Sequence, residues 1–342
     1  MKICYILAGK DVRSLKGIGR YANELIKEIS KSVEVKVINL GKRKRINSIF
    51  LLPFKLKNFE CDCYHALVPD VATTLVFLKK NTIVTFHDLI PYYALKSKMF
   101  KPIAKIFGNF WVKISWENVA RKCREIIVPS TQTKNELEEI GIESSKINVI
   151  PEGVSEFFKP LNLERKFILF FSNFSYRKRV DLAIEAYKNF VKMIDNPPKL
   201  IIAGGYTRSV YQQQIKIEPL IEEIKDKVIV KSQISDEEAL RLYNQSYCLL
   251  FTSEYEGFGL PILEASRCKT VAIVREEAKI PEEVKENSFV VSTDNLSDAL
   301  YDIVTNKKKR ENLAKKFFKR SLQFNWDKTS KATLKVYEKV VH

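Results

Sequence analysis

The chain has 342 residues, 45% of them hydrophobic and 29% charged, with a formal net charge of +17. That length is too great for one compact core and suits two domains of about 150–170 residues each, and the composition excludes intrinsic disorder. Residues 1–10 hold an apolar stretch too short and strand-like for a signal peptide, and no run reaches the roughly 20 apolar residues that span a bilayer, so a soluble, cytoplasmic protein is expected.

Ile3 to Leu7 reads as a strand, followed by a glycine-containing loop and a helical pattern over Tyr21 to Ile29; Val33 to Leu40 is the next alternating strand. Residues 41–57 carry six basic side chains and no acid around the apolar run Ile49-Phe50-Leu51-Leu52. Three readings fit this stretch: a solvated loop beside a core segment, a contact with an anionic membrane surface (peripheral on the inner face), or attraction to nucleic acid. Cys61-Asp62-Cys63-Tyr64-His65 lacks the two-residue spacer and the second half of a zinc site, so no metal is expected there. The six cysteines are read as free thiols in a reducing compartment. Thr82 to Phe86 is a short strand ending in His87-Asp88, residues 99–122 read as helical, Ile126 to Val128 as a strand, Thr131 to Ile140 as a helix and Ile147 to Ile150 as a strand.

Pro151-Glu152-Gly153, with Pro160 close behind, breaks the pattern and marks an interdomain connection. A second series follows: the strand Phe167 to Phe171, a helix over 180–193, and the strand Leu200 to Ala203 ending at Gly204-Gly205. Val228 to Lys231 and Cys248 to Thr252 are further strands; a helix from about 261 leads to the strand Val271 to Val274, and 307–339 is basic and helical in pattern. Strands alternating with helices imply α/β, doubly wound parallel sheets. The expected domains are 1–153 and 154–324, with a terminal helix over 325–342.

In open sheets of this kind ligands bind at the carboxyl ends of strands, which selects the loops 8–20, 87–93, 172–178 with 204–208, and 253–264. The last runs from a strand through Glu256-Gly257-Phe258-Gly259-Leu260-Pro261 into a helix that carries Glu264. Its glycines let backbone N–H groups approach a ligand, and the helix start favours a phosphate. Glu264, one turn in, suits a diol such as ribose; Glu256 suits a sugar hydroxyl or a developing positive charge. Taken alone, the spacing favours a turn residue at Glu256 and an ordinary helix residue at Glu264.

The whole string Glu-Gly-Phe-Gly-Leu-Pro-x-x-Glu-Ala, with Glu256 and Glu264 as its acids, resembles the signature of the retaining glycosyltransferases of family 4. Other segments fall in that family's order: Lys16 to Tyr21 resembles its first glycine loop, His87-Asp88 its histidine after a strand, and Val149 to Val154 its passage between domains. Ser172 to Lys178 resembles its diphosphate loop, Ser235 to Tyr243 the helix before the signature strand, and Phe324-Asn325-Trp326 the closing turn. One departure is Cys268-Lys269, where the family often has Cys-Gly, which implies a somewhat different helix end.

The resemblance implies a GT-B fold, two Rossmann-like doubly wound domains facing across a cleft, with the terminal helix 325–342 packing back on the first. It implies that Lys178, with Arg177, neutralises a leaving diphosphate, and that Gly17 and Gly19 let the first domain approach it. Gly204, Gly257 and the backbone at Phe258, Gly259 and Leu260 would line the donor. Glu264 would bind ribose, Glu256 would orient the transferred sugar and His87 would touch that sugar near its reacting carbon. The activity implied is retaining transfer of a hexose-type sugar from a UDP- or GDP-linked donor to a glycan, lipid-linked or other acceptor, with no cofactor. A catalytic metal is not expected: the Asp-x-Asp motif of metal-dependent transferases does not occur in the sequence. A nucleotide-sugar epimerase on the same fold and a basic nucleic-acid-binding protein are the alternatives; the second is disfavoured because a binder has no use for Glu256 and Glu264.

Overall fold

In β1 (Lys2–Leu7), Ile3, Tyr5 and Leu7 enter one apolar cluster while Cys4 and Ile6 enter another. That period-two burial on both faces is what a central parallel strand requires. The computed structural model describes residues 1–7, 17–41, 44–57, 59–90, 115–206 and 214–342. They fall into two units: the first runs to Gly153 and resumes at Phe324–His342, and the second spans Val154–Gln323.

Beside β1 the first unit holds β2 (Glu34–Asn39), β3 (Cys63–Ala66), β4 (Thr82–Thr85), β5 (Glu125–Val128) and β6 (Ile147–Val149). Their order is β2-β1-β3-β4-β5-β6, and all pairs are parallel. The second unit holds β7 (Phe167–Asn173), β8 (Lys199–Gly205), β9 (Val228–Lys231), β10 (Ser246–Phe251), β11 (Val271–Arg275) and β12 (Phe289–Val291). Their order is β12-β11-β10-β7-β8-β9, again parallel throughout. From β7 the chain winds outward through β8 and β9, then returns to the other flank of β7 and winds away through β10 to β12. The carboxyl ends of β7 and β10 are therefore a topological switch point, where loops diverge and leave a crevice.

Two strands have no counterpart in the sequence reading. β3 is four residues inside the Cys-Asp-Cys-Tyr-His run, and β12 is three residues long; neither is long enough to show a period. Residues 41–57, where a loop is one of the expectations, form the helices Lys44–Phe50 and Leu52–Leu56 as far as they are described. Of the stretch 99–122, the helix Glu117–Lys122 is seen and residues up to 114 lie outside the described set. The expectation of an altered helix end at Lys269 is corrected. Lys269 takes φ 54°, the left-handed turn that glycine adopts most readily. Arg165 secures it, its Nη2 donating to the Lys269 carbonyl at 2.7 Å.

The terminal helix Trp326–Val341 packs in the first unit against the helix Ile18–Ile29. Asn325 caps it by accepting from the Lys328 N–H at 3.0 Å. The approach is close: a Cβ on Gly153 would stand 2.5 Å from the Trp326 nitrogen, so no side chain fits there. Deeper in, a polar chain crosses the apolar cluster. The Tyr337 hydroxyl meets that of Tyr5 at 2.6 Å and His65 Nδ1 at 2.7 Å, while His65 Nε2 meets Thr85 Oγ1 at 2.8 Å. Both ring nitrogens of His65 are thus engaged, which leaves it no lone pair for a metal.

Burial, with the nearby His87, pushes the His65 pKa down to about 3. Between its ordinary value near 6.5 and about 3 the unfolded chain binds a proton that the folded ring refuses, so stability falls as pH falls through that window. The slope from this one group approaches about 1.4 kcal/mol per pH unit. Thermal melts of the wild-type protein from pH 7 to 5 should show a falling melting temperature, and His65→Gln should flatten the fall. An unchanged slope in the variant would remove His65 as its source.

Candidate functional site

At the switch point of the second unit two loops are stitched together by their backbones. After β7 the chain makes a tight turn at Tyr176–Lys178, and Arg179, with φ 49°, opens the helix Val180–Val191. After β10, the Glu254 N–H donates to the Arg177 carbonyl at 2.8 Å, and the Thr252 hydroxyl donates to the Arg179 carbonyl at 2.8 Å. The Glu256 N–H is taken by the Lys279 carbonyl at 2.8 Å. These bonds bring three charged side chains together. Arg177 Nη1 lies 2.8 Å from Glu256 Oε2 and 2.5 Å from the Tyr255 carbonyl, while Lys178 Nζ donates to Glu256 Oε1. The Lys178 ammonium also stands over the Phe251 ring, 5.7 Å from its centroid.

Lys178 and Glu256 are both buried, each 8% exposed. Burial alone would raise the Glu256 pKa, but the charges of Arg177 and Lys178, with hydrogen bonds from Lys178 and Ser253, outweigh it and hold the value at about 2. One carboxylate against two cations leaves a net positive charge beside the start of the next helix, Leu260–Arg267. That helix start is shaped by Gly259, whose φ is 108° and whose added Cβ would stand 3.3 Å from Val284 Cγ1. Gly257 and Phe258 lead into the turn, with the Phe258 side chain buried. Cationic side chains and a helix N-terminus side by side make an anion site.

Glu264 projects from the same helix, buried, and its Oε2 accepts from the Tyr243 hydroxyl at 2.9 Å. Tyr243 is itself wedged edge-on between Phe158 and Phe171, with ring centroids 5.7 and 5.5 Å away. The carboxylate is therefore held in one orientation. Gly204 has a packing reason of its own at the end of β8. A Cβ there would fall 1.7 Å from the Ser172 carbonyl oxygen, so only glycine lets β7 and β8 stay paired up to the loop.

The remaining expected residues belong to the first unit. Gly17, with φ 52°, precedes the helix Ile18–Ile29 and Gly19 lies in its first turn; Lys16 and residues 8–15 lie outside the described set, as do 207 and 208 of the loop after β8. That helix sets the Tyr21 ring edge-on against His87, centroids 4.7 Å apart. His87 follows β4 and Glu152 follows β6, so both stand at carboxyl ends of the sheet. His87 Nδ1 lies 3.0 Å from Glu152 Oε1. A carboxylate oxygen accepts, so in this pair Nδ1 is the donor side of the ring. Nε2 is buried and has no hydrogen-bond partner among the described residues.

Glu152 and Tyr243 are the two residues the sequence reading passed over. Glu152 carries a usable signal, an acid in the loop that follows a strand; Tyr243 carries none, because only the packed fold brings it to Glu264.

Two outcomes follow from this geometry. Nitrogen chemical shifts of the imidazoles, readily assigned among three histidines, should show His87 protonated on Nδ1, and Glu152→Leu should move the proton to Nε2; an unaltered tautomer would refute the role of Glu152. Lys178→Ala should cost about 3 kcal/mol in denaturant unfolding at neutral pH, since it strands part of a buried charge. It should also shift acid unfolding to higher pH. The stability Glu256 gains from a lowered pKa is present above about 4.5 and lost as pH falls toward 2, and the variant narrows that window.

Comparison with known proteins bears on the family and the fold. Residues 15–156 match the model described as Glycosyltransferase Family 4, and residues 154–320 match Glycosyl transferases group 1. The O-antigen chain mannosyltransferase RfbU of Salmonella typhimurium is 26% identical over 250 residues, which cover 71% of this chain and 63% of that protein. A probable sucrose-phosphate synthase of Thermosipho melanesiensis is 30% identical over 261 residues, 68% of this chain and 58% of that protein. The chain thus aligns with about three-fifths of the length of each. Among solved structures, the sucrose-phosphate synthase of Thermosynechococcus elongatus superposes with a TM-score of 0.82 at 19% identity, covering 99% of this chain and 98% of that one. Anabaena Alr3699/HepE in complex with UDP and glucose gives 0.75 at 13%, covering 99% and 100%. Two parallel six-stranded sheets of Rossmann type, the signature string between β10 and its helix, and both family models place the chain in glycosyltransferase family 4, with the GT-B fold.

Proposed function

We propose that the chain is a retaining glycosyltransferase that moves a hexose-type sugar from a nucleoside diphosphate to a hydroxyl of a glycan or lipid-linked acceptor, without a catalytic metal. The observation that carries this reading is the grouping of Arg177, Lys178 and Glu256 at the switch point of the second unit, beside the helix that bears Glu264.

A diphosphate brings negative charge that grows on its outer oxygens as the glycosidic bond breaks. Lys178 has three N–H donors and Arg177 five, so both can meet phosphate oxygens while keeping Glu256 between them. Held in place before the donor arrives, these charges need little rearrangement during the reaction. Glu256, anionic at every working pH, supports positive charge developing at the sugar carbon. Glu264, oriented by Tyr243, accepts from ribose hydroxyls. In the transfer, the bond from the anomeric carbon to phosphate oxygen breaks and a bond to the acceptor oxygen forms. The acceptor proton passes to the departing phosphate on the same face, which retains the anomeric configuration.

A thermal-shift panel of nucleotide sugars tests the reading, with mannosyl and glucosyl donors first because the relatives include mannosyltransferases and HepE was solved with UDP and glucose. The matching donor should raise the melting temperature, Glu264→Ala should abolish the rise, and Lys178→Ala should lower turnover at least about a hundredfold. Transfer should persist in EDTA. If the products were an epimerised nucleotide sugar and no glycosylated acceptor, the epimerase reading would replace this one.

A further inference from the structure

The helices Lys44–Phe50 and Leu52–Leu56 bury Ser48, Leu52 and Leu56 and turn other large apolar side chains outward. Phe50 is 68% exposed and Phe54 67%. They are not isolated. The Ser48 hydroxyl donates to the Val71 carbonyl at 3.1 Å, and the Thr74 hydroxyl donates to the Ser48 carbonyl, fastening the helix Thr73–Phe77 alongside. At its end Phe77 is 66% exposed and Leu78 48%. Three phenylalanine rings at two-thirds exposure on adjoining helices are unusual on a water-facing surface, where large apolar groups occur singly.

Lysines stand among these rings. The Lys57 ammonium lies 5.8 Å from the Phe54 ring centroid, and that of Lys122 lies 5.1 Å from the ring of Phe77. Lys79, next to Leu78, is exposed as well. Two of the contributing stretches are one-signed: residues 41–57 hold six basic side chains and no acid, and 71–84 hold Lys79 and Lys80 and no acid; the helix that carries Lys122 adds Arg121 and one acid, Glu117. Phenylalanine beneath and ammonium beside it match the layering of a bilayer interface, acyl chains below and anionic headgroups at the level of the charge.

We infer that this face of the first unit docks on an anionic lipid surface. A second copy of the chain fits it poorly, since pairing two such faces sets lysines against lysines. Nucleic acid would leave the aliphatic part, Leu78 and its neighbours, without a partner. The lysines are attracted to anionic headgroups within a Debye length, and the rings add burial that salt does not screen. Among the described residues no helix is long and apolar enough to cross a membrane, so attachment through this face lies on the surface. The docking does not depend on the sugar-transfer reading, and its test needs no donor.

The experiment is co-sedimentation of the full chain with vesicles of phosphatidylcholine alone and of phosphatidylcholine mixed with phosphatidylglycerol. The protein should pellet with the mixed vesicles and stay in solution with the neutral ones. A Phe54→Ser/Phe77→Ser variant and a Lys57→Glu/Lys79→Glu/Lys122→Glu variant should each lower the partition coefficient about tenfold or more, equivalent to at least 1.4 kcal/mol. Both should keep the wild-type melting temperature, which separates lost docking from lost folding. Equal pelleting of wild type and both variants would overturn the assignment. So would a dimer in solution that the serine variant dissociates, or single-stranded DNA binding lost in the same variants without any vesicle binding.

Discussion

A carboxylate removed from water must be neutralised or proton-bound, and Glu256 is neutralised by two cations at once. The constraint runs outward from that trio. Arg177 and Lys178 must leave β7 on a tight turn, so Arg179 accepts a left-handed backbone, and the loop after β10 holds the turn by donating the Glu254 N–H to the Arg177 carbonyl and accepting from the Arg177 guanidinium at the Tyr255 carbonyl. β8 must lie flush against β7 to the last residue, so Gly204 has no alternative. Gly259 turns the chain in time for a helix to begin beside the charges. The strand order that places β7 next to β10 is what lets residues 78 and 79 positions apart in sequence share one carboxylate.

Much of this arrangement is legible without coordinates because it is local. The strand-loop-helix string from Phe251 to Ala265 contains its own geometry: an apolar run, glycines where the backbone must turn, proline in the first helical turn, acids at a fixed interval. Strand-and-helix alternation likewise announces parallel sheets. What the linear pattern hides is every pairing across long separations. Glu256 reads as a sugar-binding residue, and nothing in its surroundings in sequence says that the cations assigned to phosphate already hold it. Tyr243 beneath Glu264, and Glu152 beside His87, are of the same kind. β3 and β12 are hidden for a different reason, since three or four residues carry no measurable period.

The two units solve the same problem of buried polarity differently. In the second, opposite charges meet. In the first, a neutral relay of Tyr5, Tyr337, His65 and Thr85 crosses the core, each hydroxyl or ring nitrogen satisfied by the next. Burial keeps that relay neutral and holds His65 well below its ordinary pKa, while the paired cations keep Glu256 charged and hold its pKa down despite burial.

The helix Trp326–Val341 gives the first unit a debt to the end of the chain. Its Tyr337 closes the polar relay and its Trp326 lies on Gly153, yet both are translated only after all of Val154–Gln323. On the ribosome the second unit can therefore reach its native core while the first still lacks one wall. The first unit, translated ahead of the second, is finished after it, and until then the surface that Tyr21 and Tyr5 will bury stays open to chaperones.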